Sequence, residues 1–416
     1  MKNAFYAQSG GVTAVINASA CGVIETCRQH ADQIGNVYAG RHGITGALTE
    51  DLFDTNQESS ETIAGLKQTP AGAFGSCRFR LQDIRKNQRE YLRLLEVFAA
   101  HDIGYFFYNG GGDSADTSHK VAQLAAERGY PLHVVHIPKT VDNDLPLTDN
   151  CPGFGSVAKY IAVSTLEASF DVRSGATTST KVFVIEVMGR HAGWIAAAGG
   201  LIEDYGIPVV VLFPEVPFDQ AKFLAAVNEK VTQHGYCSIV VSEGCKGPDG
   251  RFLADQGTED AFGHAQLGGA APVVAQMIKD QLGLKYHWAV ADYLQRSGRH
   301  LASAVDVDQA YALGAKAVEL ALQGKSAVMP VIQRTSSQPY QWHLDEAPLA
   351  VVANQEKMMP EDFISADGFG ITQACKDYLY PLISGESYPT YDLRGMPQYV
   401  TIRGVLVPKK LPEFVL

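Results

Sequence analysis

The sequence has no basic cluster and no long hydrophobic run, and these two absences exclude whole classes of function. Its 34 Lys and Arg residues are outnumbered by 45 Asp and Glu residues, which gives a formal net charge of −11. Binding a nucleic acid requires a positive surface, so we expect no nucleic-acid partner. No segment reaches the ~18 apolar residues that cross a bilayer, and the first residues lack a signal-peptide apolar core. We therefore expect no membrane partner and a cytoplasmic protein.

Two further kinds of motif are missing. The seven cysteines are odd in number and contain no CxxC pair, so they predict neither a disulfide framework nor a zinc site. The chain also lacks the GxxxxGK[ST] loop and the GxGxxGxV segment with a VAIK lysine. A phosphotransferase with this sequence would belong to neither of those large classes.

The sequence does contain a repeated alternation of apolar and amphipathic segments. Its 416 residues, 46% hydrophobic and 19% charged, are enough for about two to three globular domains. Strands separated by helices form βαβ units and mostly parallel sheets, and these units are too many for one ordinary sheet. We predict an α/β fold with two doubly wound, Rossmann-like domains. The predicted strands are 4–8, 105–108, 132–137, 182–187, 209–213 and 238–241, and the predicted helices are 13–28, 114–128, 157–170, 192–202 and 220–233.

In sheets of this kind, ligands bind beyond the carboxyl ends of the strands. The segments of unusual composition all lie closely after an apolar run, which predicts a functional site built from strand ends. These segments are Ser9-Gly10-Gly11, residues 109–114, residues 138–144, Met188-Gly189-Arg190 and Glu243.

Two of the segments are rich in glycine. The Ser9-Gly10-Gly11 segment fits an anion-binding turn or an ordinary tight turn equally well. The second segment has three glycines followed by Asp113. Asp113 could simply cap the following helix, but a cap does not require three preceding glycines. We favour a phosphate or metal site there.

The segment from 138 to 144 carries the most chemistry. It holds Lys139, Thr140, Asp142 and Asp144 at a strand end. Phosphoryl transfer to an alcohol needs a carboxylate to accept the hydroxyl proton and cations to spread the developing charge. The alternative, a solvated polar loop, gives no reason for this composition at this point.

Further polar residues stand in glycine-flanked loops. Arg190 ends a strand, and Arg78 and Arg296 lie in similar loops, where a guanidinium can bind phosphate oxygens bidentately. For Arg190, the alternative is a surface ion pair with a carboxylate. Glu243 is suited to accept hydrogen bonds from sugar hydroxyls or to cap its loop.

Taken in order, these segments together with residues 75–79 and 293–298 resemble the phosphofructokinase family over roughly residues 3–320. The resemblance implies two α/β domains with the active site in the cleft between them. It implies phosphorylation of the C1 hydroxyl of fructose 6-phosphate, with Mg²⁺, in glycolysis and gluconeogenesis. It divides the chain into a phosphoryl-donor domain (1–157 and about 296–335) and a sugar-phosphate domain (158–295 and part of the C-terminal segment). Residues 336–416 form an extension that the pattern does not place.

The details are similar to the pyrophosphate-dependent branch of this family. ATP-using members have glycine at the positions of Asp113 and Lys139. An acidic Asp113 would repel a nucleotide α-phosphate, and Lys139 would supply charge to pyrophosphate, so the pair acts as a donor filter. The chain departs from the family at Gly112, where an acidic magnesium ligand is usual. It also departs at Lys181 and at His287, which align with arginines of a neighbouring subunit.

The resemblance also implies a role for each site residue. Asp142 is the catalytic base, supported by Asp144, while Asp113 is the candidate magnesium ligand. The expected partners are fructose 6-phosphate and pyrophosphate, in a homodimer or homotetramer. Two alternatives stay open, an ATP-dependent 6-phosphofructokinase and a non-catalytic regulatory subunit that binds sugar phosphates. Lys139 and Arg190 are expected to be catalytic and, with the substrate-binding Arg296, to stabilise the charge on the phosphoryl oxygens. The remaining substrate contacts expected are Gly11, Arg78, Thr140, Lys181, Met188, Gly189, Glu243, His287 and Tyr293.

Overall fold

The computed structural model describes residues 1–79, 81–253 and 269–416. Each strand and helix predicted before residue 242 is present. The helix predicted for residues 192–202 is divided into an α-helix, Trp194–Gly199, and a 3₁₀ segment, Gly200–Tyr205. The strands are β1 Lys2–Gln8, β2 Ile34–Gly40, β3 Leu52–Asp54, β4 Ile103–Gly110, β5 His133–Pro138, β6 Val182–Val187, β7 Val209–Leu212, β8 Cys237–Ser242, β9 Tyr286–Val290, β10 Val328–Ser337 and β11 Tyr340–Pro348. The α-helices are α1 Ile16–Gln29, α2 Ile44–Leu48, α3 Ser60–Gly65, α4 Arg89–Ala100, α5 Gly112–Glu127, α6 Phe154–Gly175, α7 Trp194–Gly199, α8 Gln220–His234, α9 Ala270–Leu282, α10 Asp292–Ser297, α11 Ala304–Leu322, α12 Leu349–Val352 and α13 Gln373–Leu382.

The chain divides into two compact units. Unit 1 comprises Met1–Gly153, Ala302–Lys357 and Gly385–Leu416, and unit 2 comprises Phe154–Leu301 and Met358–Ser384. The C-terminal segment that the sequence pattern leaves unplaced is therefore shared between them. The assignment of phosphoryl-donor and sugar-phosphate roles to the two units remains a prediction.

Unit 1 is built on one mixed sheet with the order β11-β10-β5-β4-β1-β2-β3. Its centre is parallel, because β5, β4, β1 and β2 all run in the same direction. Both edges are antiparallel, since β3 pairs with β2 and β11 pairs with β10. The parallel centre confirms the predicted βαβ organisation and directs several strand ends to one edge.

Helices cover both faces of the unit 1 sheet because successive strand residues point to opposite sides. Phe5 and Phe106 pack on one face with residues of α4, such as Phe98. Tyr6 and Phe107 pack on the other face with residues of α1 and α11. Burying each such side chain stabilises the fold by about 1.5–3 kcal/mol. The continuous hydrophobic runs in these strands therefore reflect a sheet with two buried faces.

Helices α1 and α11 cross in close contact. An ideal Cβ placed on Gly314 would lie 2.2 Å from the Ser19 carbonyl oxygen, and one on Gly22 would lie 2.2 Å from the Tyr311 carbonyl oxygen. The absence of a side chain at both glycines permits this approach. The contact holds the two helices against the sheet that carries the strand-end loops.

Unit 2 contains a smaller, entirely parallel sheet with the order β7-β8-β6-β9. Its core includes Val184, Ile239 and Phe223. Part of the C-terminal segment packs in the same unit, where Trp194 contacts Phe363 and Tyr378.

None of the helices formed by the described residues combines the length and hydrophobicity that a bilayer crossing requires.

Candidate active site

Three loops of unit 1 follow adjacent strands and meet at one edge of its sheet. Strands β1, β4 and β5 are parallel neighbours, with Gln8 opposite Asn109 and Gly110 opposite Pro138. Parallel strands present their carboxyl ends at the same edge, so the segments that continue from them come together there. These segments are residues 9–11, 111–114 and 139–144.

The two glycine-rich loops contact each other directly. The Ser114 hydroxyl donates a hydrogen bond to the Ser9 hydroxyl at 2.7 Å. Gly10 has a φ of 70°, which favours glycine. An ideal Cβ on Gly112 would meet no heavy atom within 4 Å, so the space beside this loop is open. The start of α5 thus has room for an anion beside its backbone N–H groups.

Asp113 lies in the first turn of α5 with its side chain exposed. The N-cap of this helix is Gly111, which makes no side-chain capping bond, so the interpretation of Asp113 as a cap is wrong. A carboxylate in the first turn is stabilised by the helix dipole. Within the described residues, no three His, Cys, Asp or Glu side chains form a ready-made metal cage. Any metal held here would need further ligands, such as water or a bound substrate.

The Lys139 side chain connects the β5 loop to the β1 loop. Its Nζ donates a hydrogen bond to the Gly11 carbonyl oxygen at 2.7 Å, and its backbone N–H donates to the Gly110 carbonyl oxygen at 3.0 Å. The residue is only 4% exposed. These bonds hold a cation at the point where the three loops meet.

Asp142 lies in a turn that Thr140 closes. The Asp142 backbone N–H donates a hydrogen bond to Thr140 Oγ1 at 3.1 Å, and the Asp142 side chain is partly buried. The following residue, Asn143, is fully buried and has a φ of 56°. Its Oδ1 accepts a hydrogen bond from the Cys151 backbone N–H at 2.9 Å. These contacts argue against a freely solvated polar loop.

Asp144 faces inward from the same loop. Burial raises the pKa of its carboxyl group, and the charge of Glu356 adds to the rise. Its Oδ1 has no hydrogen-bond partner among the residues that the structure describes. Asp144 therefore releases its proton less readily than an exposed aspartate does.

Arg78 lies on a segment that pairs with the end of β1. Ser9 and Cys77 form a parallel bridge, and the Gly10 N–H donates to the Cys77 carbonyl oxygen at 3.0 Å. The Ser76 hydroxyl donates to the Gly10 carbonyl oxygen at 2.7 Å. Arg78 is exposed beside this pairing, at the same edge as the three loops. The sequence identified the cation of this segment but gave no signal for the role of Ser76.

In unit 2, the ends of β6 and β8 form a second cluster. Val187 lies opposite Ser242, and the Glu243 N–H donates to the Val187 carbonyl oxygen at 2.9 Å. Met188 follows β6 directly beside this contact. Gly189 has a φ of 130°, and its carbonyl oxygen accepts a hydrogen bond from the Ser242 hydroxyl at 2.6 Å. The predicted sugar residues Met188, Gly189 and Glu243 are therefore brought together.

A carboxyl group and a guanidinium group interact electrostatically in this cluster. Burial raises the pKa of the Glu243 carboxyl, and the Arg190 guanidinium opposes part of that rise. Both residues are partly buried at the strand ends. The pair places a hydrogen-bond acceptor beside a fixed positive charge.

Helix α10 adds further residues to the same unit. The Arg296 guanidinium lies 3.7 Å above the Tyr293 ring, and Tyr293 is 58% exposed. Gln295, which the sequence did not identify, is buried, and its Oε1 accepts a hydrogen bond from the Met188 N–H at 3.3 Å. Gln295 Nε2 has no partner within the described part of the chain. No local sequence pattern predicts that a buried glutamine makes this contact with Met188.

Two predicted residues do not join the cluster. Lys181 directly precedes β6, and His287 is opposite Phe183 in β9, so both lie at the amino ends of the strands. Six residues of β6 separate Lys181 from Met188, about 20 Å at ~3.3 Å per residue. Four residues of β6 separate Met188 from Phe183, the residue opposite His287. Within unit 2, Lys181 and His287 are therefore placed away from Glu243.

Each unit therefore has a distinct chemical character at its strand ends. Unit 1 offers backbone amides, the Lys139 ammonium, the Arg78 guanidinium and carboxylates, which suit phosphate binding and proton transfer. Unit 2 offers a carboxylate acceptor, two guanidinium groups and an exposed tyrosine, which suit a sugar bearing a phosphate.

Comparison with known proteins gives a consistent result. The profile of the family described as phosphofructokinase matches residues 3–321. A pyrophosphate–fructose 6-phosphate 1-phosphotransferase of Methylococcus capsulatus is 69% identical over 412 residues, covering 99% of this chain and 98% of that protein. A protein with the same name from Halomonas elongata is 66% identical, covering 100% and 99%. The crystal structure of a pyrophosphate-dependent phosphofructokinase from Nitrosospira multiformis has a TM-score of 0.93 and 64% identity, with 100% of both chains covered.

Proposed function

Because the chain belongs to the phosphofructokinase family, we propose that it transfers a phosphoryl group from pyrophosphate to the C1 hydroxyl of fructose 6-phosphate. The products are fructose 1,6-bisphosphate and phosphate. The observation that carries this proposal is the similarity over essentially the whole chain to relatives named for this reaction. Asp113 and Lys139, both present here, support pyrophosphate as the donor over ATP.

In the proposed reaction, Asp142 accepts the proton of the C1 hydroxyl. The sugar oxygen forms a bond to one phosphorus of pyrophosphate, and the bond from that phosphorus to the bridging oxygen breaks, releasing phosphate. Lys139, Arg190 and Arg296 stabilise the charge on the phosphoryl oxygens. Asp142 also argues against a non-catalytic subunit, since a sugar-binding protein has no need of a base in this loop.

The residues of unit 1 fit Mg²⁺ bound together with pyrophosphate. Magnesium retains several waters and often takes only one or two carboxylates plus substrate phosphates. Asp113 supplies one exposed carboxylate, and the open space beside Gly112 leaves room for hydrated ligands. We propose that Asp113 holds the ion directly or through water, where it would neutralise phosphate charge. The usual acidic ligand is replaced by Gly112.

Unit 2 is proposed to bind the sugar phosphate. Glu243 accepts hydrogen bonds from sugar hydroxyls, while Met188, Gly189 and Tyr293 line the sugar. In unit 1, Gly11, Arg78 and Thr140 complete the donor site, with Asp144 supporting Asp142 or the metal. The grouping of each set at one sheet edge supports these assignments.

We further propose a cytoplasmic homodimer or homotetramer. Lys181 and His287 lie at the amino ends of β6 and β9, away from the Glu243 cluster, so these two side chains are better placed for the sugar phosphate of a neighbouring copy than for that of their own unit. The solution mass of the purified protein tests this proposal, and a monomer contradicts it.

The function is tested by assaying the purified chain with fructose 6-phosphate and either pyrophosphate or ATP. Fructose 1,6-bisphosphate should form with pyrophosphate and Mg²⁺, and the reverse reaction should release pyrophosphate. Turnover with ATP alone would support the ATP-dependent alternative. Sugar-phosphate binding without turnover with either donor would support the regulatory alternative.

A further inference from the structure

Lys357 makes an unusual set of contacts with the loop that carries Asp142. It lies beyond residue 321, where the family match ends, and it is the last residue of unit 1 before the chain enters unit 2. Its Nζ donates hydrogen bonds to the Asp149 carbonyl oxygen at 2.8 Å and the Thr148 carbonyl oxygen at 3.1 Å. The same Nζ lies 3.4 Å from Asn143 Oδ1. All these acceptors belong to residues 139–151, here called the catalytic loop.

These contacts join the two limbs of the catalytic loop. The first limb contains Asp142, Asn143 and Asp144, and the second contains Thr148 and Asp149. The Lys357 backbone N–H also donates to the Asp144 carbonyl oxygen at 2.6 Å. One lysine therefore binds the limb that bears the proposed base and the limb opposite to it.

The second limb is fixed independently by β10. The Ile332 N–H donates to Thr148 Oγ1 at 3.0 Å, and the Asp149 N–H donates to the Ile332 carbonyl oxygen at 2.8 Å. Arg334 forms an ion pair with Asp149 at 3.0 Å. The second limb is thus a firm anchor, and contacts that join the first limb to it determine where Asp142 lies.

The first limb turns sharply at Asn143, and contacts to this residue fix the turn. Asn143 has a φ of 56°, a left-handed conformation that asparagine adopts more readily than most residues because its short polar side chain can form local hydrogen bonds. Asn143 Oδ1 accepts hydrogen bonds from the Cys151 N–H and from Lys357 Nζ. Both donors therefore act on the residue adjacent to Asp142.

We propose that Lys357 is a positioning residue for phosphoryl transfer, holding Asn143 and the loop so that Asp142 points its carboxylate at the acceptor hydroxyl. This inference rests on the proposed function, in which Asp142 is the base. The ammonium group has three donors, which match the three oxygens around it. Burial lowers the pKa of Lys357, while the nearby Asp149 and Asp144 favour its charged form.

The test compares Lys357→Met and Lys357→Arg with the wild type. Methionine is an unbranched side chain one atom shorter than lysine, and it removes every donor. Displacement of a catalytic group by about 1 Å can cost about 10²-fold in rate. We expect kcat to fall about 10²-fold, while KM for fructose 6-phosphate and pyrophosphate changes little. Arginine retains the charge and N–H donors, so Lys357→Arg should recover part of the lost turnover.

Lys376→Met is the matched control. Lys376 also belongs to the C-terminal segment. Its side chain is 12% exposed, and its ammonium group pairs with Asp204 and Glu203 in unit 2. Its loss should lower stability without reducing kcat. The inference is overturned if Lys357→Met retains wild-type kcat, or if its kcat falls only in proportion to the fraction of unfolded protein.

Hydrogen exchange separates this inference from the proposed function. In Lys357→Met, amides in peptides covering residues 139–151 should exchange faster, including the Asp142 and Cys151 amides that bond to Thr140 and Asn143. Exchange elsewhere should match the wild type. If the wild type transfers no phosphoryl group, the proposed function fails, and unchanged loop exchange would independently overturn the role of Lys357.

Discussion

The ammonium group of Lys139 lies 2.7 Å from the carbonyl oxygen of Gly11 and donates a hydrogen bond to it. This bond links the loop after β5 to the loop after β1, two strands that are separated in the sheet by β4. The lysine is therefore held in place before any ligand arrives. A fixed cation costs little reorganisation when negative charge develops beside it.

Replacing the proposed base tests the chemistry most directly. Asp142→Asn keeps the shape of the side chain but cannot accept the hydroxyl proton. We expect kcat to fall by about 10²–10⁴-fold, the usual loss when a general base is removed, with modest change in either KM. Initial rates with pyrophosphate measure the effect.

Asp102→Asn is the control for loss of one carboxylate in unit 1. Asp102 is exposed and pairs with Lys2, away from the strand-end loops. Its turnover should equal that of the wild type. Near-normal turnover in Asp142→Asn would remove this residue from the mechanism.

The sequence predicts the central part of each unit because the signals there are local. Continuous apolar strands, such as β4, and the polar residues directly after them can be recognised within a few positions. That is sufficient to place Asp113, Lys139 and Asp142 at one edge, since parallel strands end together. The alternation of strand and helix likewise predicts βαβ units.

The contacts of the C-terminal segment are not predictable in this way. The backbone N–H groups of Lys410 and Leu411 donate to the buried Glu50, about 360 residues away along the chain. Lys357 reaches the catalytic loop from 208 to 214 residues further along the chain, with no motif around it. Such contacts depend on tertiary packing, and neither periodicity nor turn chemistry signals them.

Glu243 should make stability depend on pH. Burial raises its pKa above the ordinary value of about 4.3, so the folded chain binds this proton more tightly than the unfolded chain. The contribution of Glu243 to stability is present at low pH and is lost as the pH rises through the folded-state pKa. Glu243→Gln has no such loss, so its stability relative to the wild type should increase with pH.

Urea unfolding of both proteins between about pH 4 and pH 8 measures this difference. Glu229→Gln, on the exposed side of α8, controls for the removal of one carboxylate. A difference between Glu243→Gln and the wild type that decreases with rising pH would contradict the assignment.

Gly314 should tolerate no side chain at the crossing of α1 and α11. Its ideal Cβ would lie 2.2 Å from the Ser19 carbonyl oxygen, so Gly314→Ala forces the helices apart. Overpacking of this kind costs about 1–3 kcal/mol of unfolding free energy, despite the better helix propensity of alanine. In α6, Gly175→Ala meets no heavy atom within 4 Å and serves as the control. Denaturant midpoints should fall for Gly314→Ala alone, and equal midpoints for the two variants would exclude a tight crossing.

The choice of phosphoryl donor should depend on Asp113 and Lys139 together. Lys139→Gly removes the ammonium group beside Gly11. Hydrogen bonds to charged groups contribute about 1.5–3 kcal/mol. We therefore expect kcat/KM for pyrophosphate to fall about 10–100-fold. Asp113→Gly should also reduce pyrophosphate use strongly, because it removes the proposed magnesium ligand. Lys120→Met is the control, since Lys120 pairs with Asp116 on the same helix as Asp113.

The double variant Asp113→Gly/Lys139→Gly should lose pyrophosphate use and gain weak use of ATP. Removing the carboxylate relieves repulsion of a nucleotide α-phosphate, and removing the lysine eliminates the charge that pyrophosphate uses. The two residues serve one phosphate site, so their effects should be non-additive. The gain should be weak because no residue identified here forms an adenine pocket.

Measuring kcat/KM for both donors in the wild type, both single variants and the double variant tests whether Asp113 and Lys139 select the phosphoryl donor. Full pyrophosphate activity in the double variant, or a wild type that prefers ATP, would show that these two side chains do not select the donor.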